Sequence, residues 1–178
     1  MHCSAILTTG VVIPGKARAT TTCPVRHHRC VAGVDLVDET FIAASPGALA
    51  AIVADPQQWR QWWPDLRLAV FMDRGVQGQR WSMTGRLVGS LEIWIEPFAD
   101  GCILHHYLRG EPSDDGRTPA PWPDTPDGWR KAAADRGRRA KAWKRSVWEL
   151  KRKVEGDRPA GVTPDWVAVV KGRPGGGQ

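Results

Sequence analysis

The long amphipathic segment near the C-terminus constrains the fold more than any other feature of this sequence. From Asp127 or Gly128 to about Glu155, side chains suited to burial recur every three or four residues, the spacing of one helix face. Gly156 follows, as glycine often does where a helix ends. The predicted face consists of Trp129, Ala132, Ala133, Arg136, Ala140, Trp143, Val147, Leu150 and Val154. Such a helix is stable when its apolar face is covered, so we expect it to pack against the rest of the domain.

Two short helices are predicted upstream of this segment. Ser45 and Asp55 are each followed by a proline, and a capping side chain before a proline is typical of a helix start. Pro64 ends the second helix, because proline interrupts helical hydrogen bonding. The spacing of three indole rings places them on one face of this second helix, namely Trp59, Trp62 and Trp63.

Alternation of apolar and polar residues predicts five strands. The first runs from Val34 to Ala43, and four more follow the short helices, separated by turns such as Asp100-Gly101. These four cover residues 66–72, 79–84, 87–95 and 102–108. Consecutive strands joined by short turns predict an antiparallel meander. The predicted fold class is therefore α+β, with a curved antiparallel sheet, two short helices and one long C-terminal helix.

Composition divides the chain into one domain, predicted at 34–156, and two tails. Residues 1–33 show no periodicity and residues 157–178 are rich in glycine and proline, so both tails are predicted to be disordered. Of the four cysteines, three lie within the first thirty residues. This is no disulfide framework, so we expect a reducing, cytoplasmic location. No apolar run approaches the ~20 residues that a membrane-spanning helix needs.

Several segments carry a resemblance to a known family. They read DLVDETFIAA at 35–44, DPQQWRQWWPDL at 55–66, GQRWSMTGRLVGSLEIWIEP at 78–97, HHYLRGEP at 105–112 and RAKAWKRSVWELK at 139–151. These segments resemble actinobacterial polyketide cyclase/dehydrase-like SRPBCC proteins of the START-like, Bet v1-like superfamily, over about 35–158. Because members of this family usually start just before the first strand, we hypothesise that residues 1–30 come from a misassigned start codon.

The resemblance implies a helix-grip fold, in which the long helix closes a cavity over the sheet. It also implies that the chain binds or transports a hydrophobic small molecule such as a lipid, polyketide or isoprenoid-like compound. An alternative is a polyketide aromatase/cyclase or dehydrase, whose inward polar side chains bind and protonate polyketide oxygens. No cofactor is predicted for either function. The two differ in whether a polar pair faces the cavity.

Side chains of the predicted strands and of the long helix could line such a cavity. Those predicted to bind the ligand are Trp81, Met83, Trp94, His105, Tyr107, Trp143, Val147 and Leu150, with Cys102 as a further candidate. The same side chains could instead form a solid core. The sequence leaves open which sheet face is inside. Glu92 and Glu96 share a face with Trp94, so Trp94 leaves the cavity if these carboxylates face solvent.

Two adjacent histidines are candidates for catalysis. Neighbouring strand residues point to opposite faces, so His105 and His106 cannot hold one metal ion together, and only one of them faces the cavity. An inward His105 would share its face with Tyr107, and this pair could act as acid and base in a cyclisation or dehydration. The candidate catalytic residues are therefore His105, His106 and Tyr107.

No metal site is predicted from the sequence. Metal-ligand residue types occur together at Cys23, His27, His28 and Cys30, but they lack the paired spacing of structural zinc sites. The sequence also contains no phosphate-binding loop and no motif of a serine hydrolase, zinc protease or redox dithiol.

The net charge of +6 is concentrated in the long helix and the N-terminal arm. Positions 129–158 hold twelve basic and four acidic residues, whereas positions 34–112 hold six basic and ten acidic ones. A third functional alternative is therefore an interaction module, in which the basic helix contacts nucleic acid, an anionic membrane surface or an acidic partner. A solvated helix face is the simpler interpretation, and the acidic body argues against nucleic acid. The oligomeric state is left open.

Overall fold

The computed structural model describes residues 33–156 and 162–163. Its elements are β1 Val34–Ile42, α1 Pro46–Val53, α2 Pro56–Trp62, β2 Leu66–Asp73, β3 Gly78–Gly85, β4 Leu87–Phe98, β5 Gly101–Pro112 and α3 Pro126–Glu155, with a 3₁₀ turn at Gly75–Gln77. The predicted disordered arm and tail, and the hypothesis about the start codon, fall outside the described residues apart from Gly33 and residues 162–163.

The five strands form one antiparallel sheet with the order β1-β5-β4-β3-β2. Strands β2 to β5 are the predicted meander, and β1 pairs with β5 so that the first and last strands are neighbours. The 30-residue helix α3 lies across the inner face of this sheet. This confirms the predicted α+β helix-grip arrangement.

Each helix begins at a capping side chain followed by a proline. The Ser45 hydroxyl accepts a hydrogen bond from the Ala48 amide, and the Asp55 carboxylate accepts one from the Gln57 amide. In α3 the Thr125 hydroxyl accepts from the Gly128 amide at 3.2 Å. Because Thr125 caps the helix, α3 begins at Pro126, slightly before the predicted start.

The inner sheet face and the helices enclose one apolar core. Trp81, Ile95 and Leu104 are fully buried, and Val147 of α3 packs with them in the same cluster. This packing fills most of the space between the sheet and α3. Among the described helices, none combines the length and apolar character needed to cross a lipid bilayer.

The N-terminal half of α3 corrects the predicted helix face. Trp129 is 51% exposed and Arg136 is exposed, whereas Asp135 is buried. The physical reason is an ionic contact with the start of β2, where the Arg139 guanidinium bridges Asp65 at 2.6 Å and Asp135 at 2.9 Å. Paired charges therefore occupy positions that an apolar stripe would otherwise fill.

Truncation of Leu104 tests the assignment of the inner face. Leu104 of β5 is 0% exposed, so Leu104→Ala should lower the free energy of unfolding by about 2–5 kcal/mol in urea denaturation. The matched control is Val37→Ala on the neighbouring strand, because Val37 is 64% exposed and should lose less than about 1 kcal/mol. Equal losses would contradict this assignment.

Candidate functional site

A partly open pocket of about 190 Å³ remains where α3 leaves the sheet uncovered. It lies between the N-terminal half of α3, the end of α2 and the strands β1 and β5. Its buried end is formed by His106, Trp143 and Trp63, and Leu36 and Leu108 contribute apolar wall. The lining therefore combines aromatic and aliphatic surface with one buried imidazole, a composition typical of small-molecule sites.

Parallel rings build the buried end of the pocket. The indole of Trp143 stacks on the imidazole of His106, with centroids 4.1 Å apart and planes within 16°. Trp63 is nearly parallel to both rings, with centroids 5.6 Å from Trp143 and 5.8 Å from His106. Trp62 meets Trp143 edge-on. These contacts hold the rings in fixed orientations, which pre-forms an aromatic surface.

One carboxylate fixes the position of Trp143. The Trp143 Nε1 donates a hydrogen bond to Asp38 Oδ2 at 3.1 Å. The Thr40 hydroxyl donates to the same oxygen, and the Lys144 ammonium lies 2.5 Å from Asp38 Oδ1. Asp38 therefore forms its hydrogen bonds and ion pair with α3 and its own strand. It forms none with His106, its cross-strand neighbour.

The imidazole of His106 is buried and unpartnered. Its side chain is 1% exposed, and neither ring nitrogen has a hydrogen-bond partner among the described residues. Burial lowers the pKa of His106 to about 3, although the nearby charge of Asp38 opposes this shift. The ring is therefore neutral near pH 7 and presents one N–H donor and one lone pair.

The exposed end of the pocket carries compensated charges. Arg139 pairs with Asp65 and Asp135, and Arg138 pairs with Asp135 at 2.6 Å. Each cation has a carboxylate partner, so this rim offers polarity without a strong net field. A ligand that enters between these side chains passes from a polar rim to an aromatic interior.

The structure separates the predicted ligand-binding residues into three groups. Trp143 lines the pocket. Trp81, Met83, Val147 and Leu150 are buried in the packed core, where Leu150 also borders a separate polar groove between α2 and α3. The remaining three, Trp94, His105 and Tyr107, lie on the outer face of the sheet, together with the carboxylates of Glu92 and Glu96. Only the first of these groups reaches the pocket.

The outer-face placement corrects the predicted cavity for Trp94, His105 and Tyr107. His105 is held by Glu39 on one ring nitrogen at 3.1 Å and by Glu96 on the other at 2.9 Å. Its ring stacks on Trp94, with centroids 4.4 Å apart. The physical reason is strand alternation: His106 is inward, so both of its neighbours in the strand are outward. A catalytic role for His105 and Tyr107 stays a prediction, but they do not line the pocket.

Cys102 is a core residue. Its thiol is 0% exposed and lies 3.3 Å from the carbonyl oxygen of Ala44. Burial raises the pKa of this thiol to about 11, so it stays protonated near neutral pH. Cys102 therefore contributes packing rather than chemistry to the site.

Sequence reasoning did not name most of the residues that build the pocket. For Trp62 and Trp63 the sequence did give an indication, because both lie on the aromatic face predicted for the second short helix. For Asp135 and Arg139 it gave none, because charged residues on a basic helix are ordinarily assigned to the solvent side. In the part of the chain that the structure describes, no group of three or more histidine, cysteine or acidic side chains is placed to hold a metal ion. The cluster from Cys23 to Cys30 lies outside that part.

Several solved structures are similar to this chain at low sequence identity. An Aha1 dimer from Colwellia psychrerythraea is 13% identical, with 71% of this chain and 99% of that chain covered and a TM-score of 0.46. A START superfamily protein from Mycobacterium smegmatis is 18% identical, with 66% and 99% covered and a TM-score of 0.34. The aromatase/cyclase Zhui from a Streptomyces species is 14% identical, with 71% and 97% covered and a TM-score of 0.35.

No protein-family model and no curated protein sequence matches the chain. The structural neighbours include START superfamily and aromatase/cyclase proteins.

The depressed pKa of His106 predicts a specific acid sensitivity. Since the folded pKa is about 3 and the ordinary value is 6.5, only the unfolded chain binds this proton between those values, and stability falls as pH falls from 6.5 towards 3. Between pH 7 and pH 5 this group should cost about 2 kcal/mol. His106→Phe should remove that part of the pH dependence, measured by urea unfolding at both pH values. An unchanged pH dependence in the variant would contradict a buried neutral imidazole.

Proposed function

We propose that this chain binds a small hydrophobic, ring-containing molecule in the pocket beside Trp143. One observation carries the proposal: the buried imidazole of His106 lines the pocket with both ring nitrogens unpartnered. A buried polar group without a partner costs about 1–3 kcal/mol, so natural structures rarely retain one without a reason. A ligand with one polar group would satisfy His106 while its apolar part covers the tryptophan rings.

The size of the pocket limits the class of ligand. A volume of about 190 Å³ is below the roughly 300–1,000 Å³ of sites for drug-sized molecules. It exceeds an apolar cavity of about 150 Å³, which is enough for benzene. One or two fused rings fit within it. A longer lipid, polyketide or isoprenoid chain would have to leave through the open rim near Arg138.

The polar chemistry of the pocket favours a neutral ligand with a hydroxyl or N–H group. The neutral imidazole of His106 can accept one hydrogen bond and donate another. The rim cations are already paired, so they provide little attraction for an anionic ligand. We propose that recognition combines stacking on Trp143 or Trp63 with one hydrogen bond to His106. We also propose that the protein is located in the cytoplasm.

Binding fits this pocket better than aromatase/cyclase or dehydrase chemistry. A general base works best when its pKa lies near the operating pH, and a His106 pKa of about 3 makes its imidazole a weak base. The predicted acid–base pair of His105 and Tyr107 lies on the other sheet face. The cyclase function would need a ligand that raises the pKa of His106 on binding.

Filling the pocket tests the location of the binding site. Ala142 lines the pocket, so Ala142→Leu should occupy its volume and reduce the affinity for indole at least about tenfold, measured by isothermal titration calorimetry. The matched control is Ala133→Leu, which adds the same side chain at an exposed position of the same helix and should leave affinity unchanged. Loss of binding in both variants, or in neither, would refute this site.

The hydrogen bond to His106 is tested with two ligands of similar shape. Indole has an N–H group and naphthalene has none. His106→Phe keeps a ring against Trp143 but removes the acceptor, so the affinity for indole should fall roughly three- to tenfold while that for naphthalene is retained. Calorimetry with both compounds measures the difference. Parallel changes for the two ligands would show that His106 supplies only packing.

A further inference from the structure

A row of four exposed side chains runs along the outer side of α3. Lys141, Arg145, Trp148 and Arg152 are spaced by four, three and four residues, which places them in one line on a helix. This line, here called the α3 ridge, faces away from the core residues Trp143, Val147 and Leu150 on the same helix. Residues 141 to 152 span about 16 Å along the helix axis.

Among the described residues, the three cations of the ridge form no ion pairs, like Arg136 and Lys153, whereas the other six cations of α3 are paired. The paired cations lie within 4.0 Å of a carboxylate: Arg130 and Lys131 of Asp127, Arg138 and Arg139 of Asp135, Lys144 of Asp38, and Lys151 of Glu155. In the described part of the chain, no carboxylate pairs with Lys141, Arg145 or Arg152. Glu149 flanks the ridge but forms no ion pair there. The ridge is therefore an uncompensated line of positive charge.

Trp148 adds a large apolar surface in the middle of this charge. Its side chain is 50% exposed and lies one turn from both Arg145 and Arg152. The other half-exposed tryptophan of the helix is Trp129, at 51%, but its Nε1 donates a hydrogen bond to Asp124 and its neighbouring cations are paired. The two tryptophans thus have the same exposure in different electrostatic surroundings.

We propose that the α3 ridge docks on the surface of an anionic phospholipid bilayer. Lysine and arginine beside a tryptophan suit this environment, because the cations meet lipid phosphates and carboxylates while the indole enters the headgroup region. Each basic residue near an anionic membrane surface strengthens binding by about fivefold. The proposal does not depend on the pocket, since none of the ridge residues lines it.

The shape of the ridge favours a membrane over nucleic acid. Single-stranded nucleic acid is bound in grooves that offer several aromatic surfaces for stacking, whereas Trp148 is one ring on a convex helix. A bilayer is a plane, and a straight row of side chains on a protruding helix can contact it along its full length. The sheet side of the domain is acidic, so a surface that touches only α3 avoids repulsion.

Charge variants of the full chain test the proposal by co-sedimentation with vesicles. Phosphatidylcholine vesicles containing phosphatidylserine should bind the protein, and pure phosphatidylcholine vesicles should not. The double variant Lys141→Gln/Arg145→Gln should weaken binding roughly twentyfold. The matched control Arg130→Gln/Lys131→Gln removes the same formal charge from cations that Asp127 already compensates, and it should weaken binding less than about threefold.

Tryptophan variants test whether the indole enters the interface. Trp148→Ala should reduce vesicle binding roughly tenfold, whereas Trp129→Ala, at equal exposure, should not. Equal losses in the two charge variants, equal losses in the two tryptophan variants, or no binding to anionic vesicles would each overturn the proposal. Salt-sensitive binding to duplex DNA without binding to vesicles would also overturn it and assign the ridge to nucleic acid.

Discussion

The side chain of Trp143 joins α3 to three other parts of the fold. Its indole N–H bonds to Asp38 of β1, its ring stacks on His106 of β5, and its edge and face contact Trp62 and Trp63 at the end of α2. Aromatic contacts of this kind add to the burial of apolar area, and the hydrogen bond removes the cost of burying the indole N–H. Trp143 therefore fixes α3 to β1, β5 and α2 at one point along its length.

The pocket is a consequence of how this helix meets the sheet. Further along α3, Val147 and Leu150 pack on the core, and the space that remains beside Leu150 is the polar groove between α2 and α3 rather than an aromatic pocket. Towards its N-terminus, the helix is held by the ionic contacts of Arg139 with Asp65 and Asp135 instead of by apolar packing. These ionic contacts do not fill the space between the rim and the buried rings, and the pocket remains there.

Polar residues on the two sheet faces have different roles. On the outer face, Glu92 has Arg74 and Arg80 as partners, and His105 has a carboxylate partner on each ring nitrogen. On the inner face, His106 has none among the described residues. His106 therefore differs from its neighbour His105 in its unused hydrogen-bonding capacity, and because His106 also lines the pocket, the pocket is the candidate site.

Local sequence signals determined the order, type and approximate bounds of every helix and strand. Ser45-Pro46 and Asp55-Pro56 mark helix starts through capping, and alternation marks strands, because both effects act between residues close in the chain. Only the tertiary structure decided which sheet face was covered. The segment from Trp94 to Glu96 and the residues around His105 carry large side chains on both faces, so alternation gave two equivalent answers.

The pocket was likewise decided by contacts that are distant in sequence. Asp65 and Asp135 meet on one guanidinium only after α3 has folded back over the sheet, and Asp38 reaches Trp143 across 105 positions of the chain. The sequence by itself determined that a long amphipathic helix must cover a five-stranded antiparallel sheet. How closely α3 packs on the sheet depended on side-chain packing between elements, which no local periodicity encodes. The same packing left His106 without a partner beneath the helix.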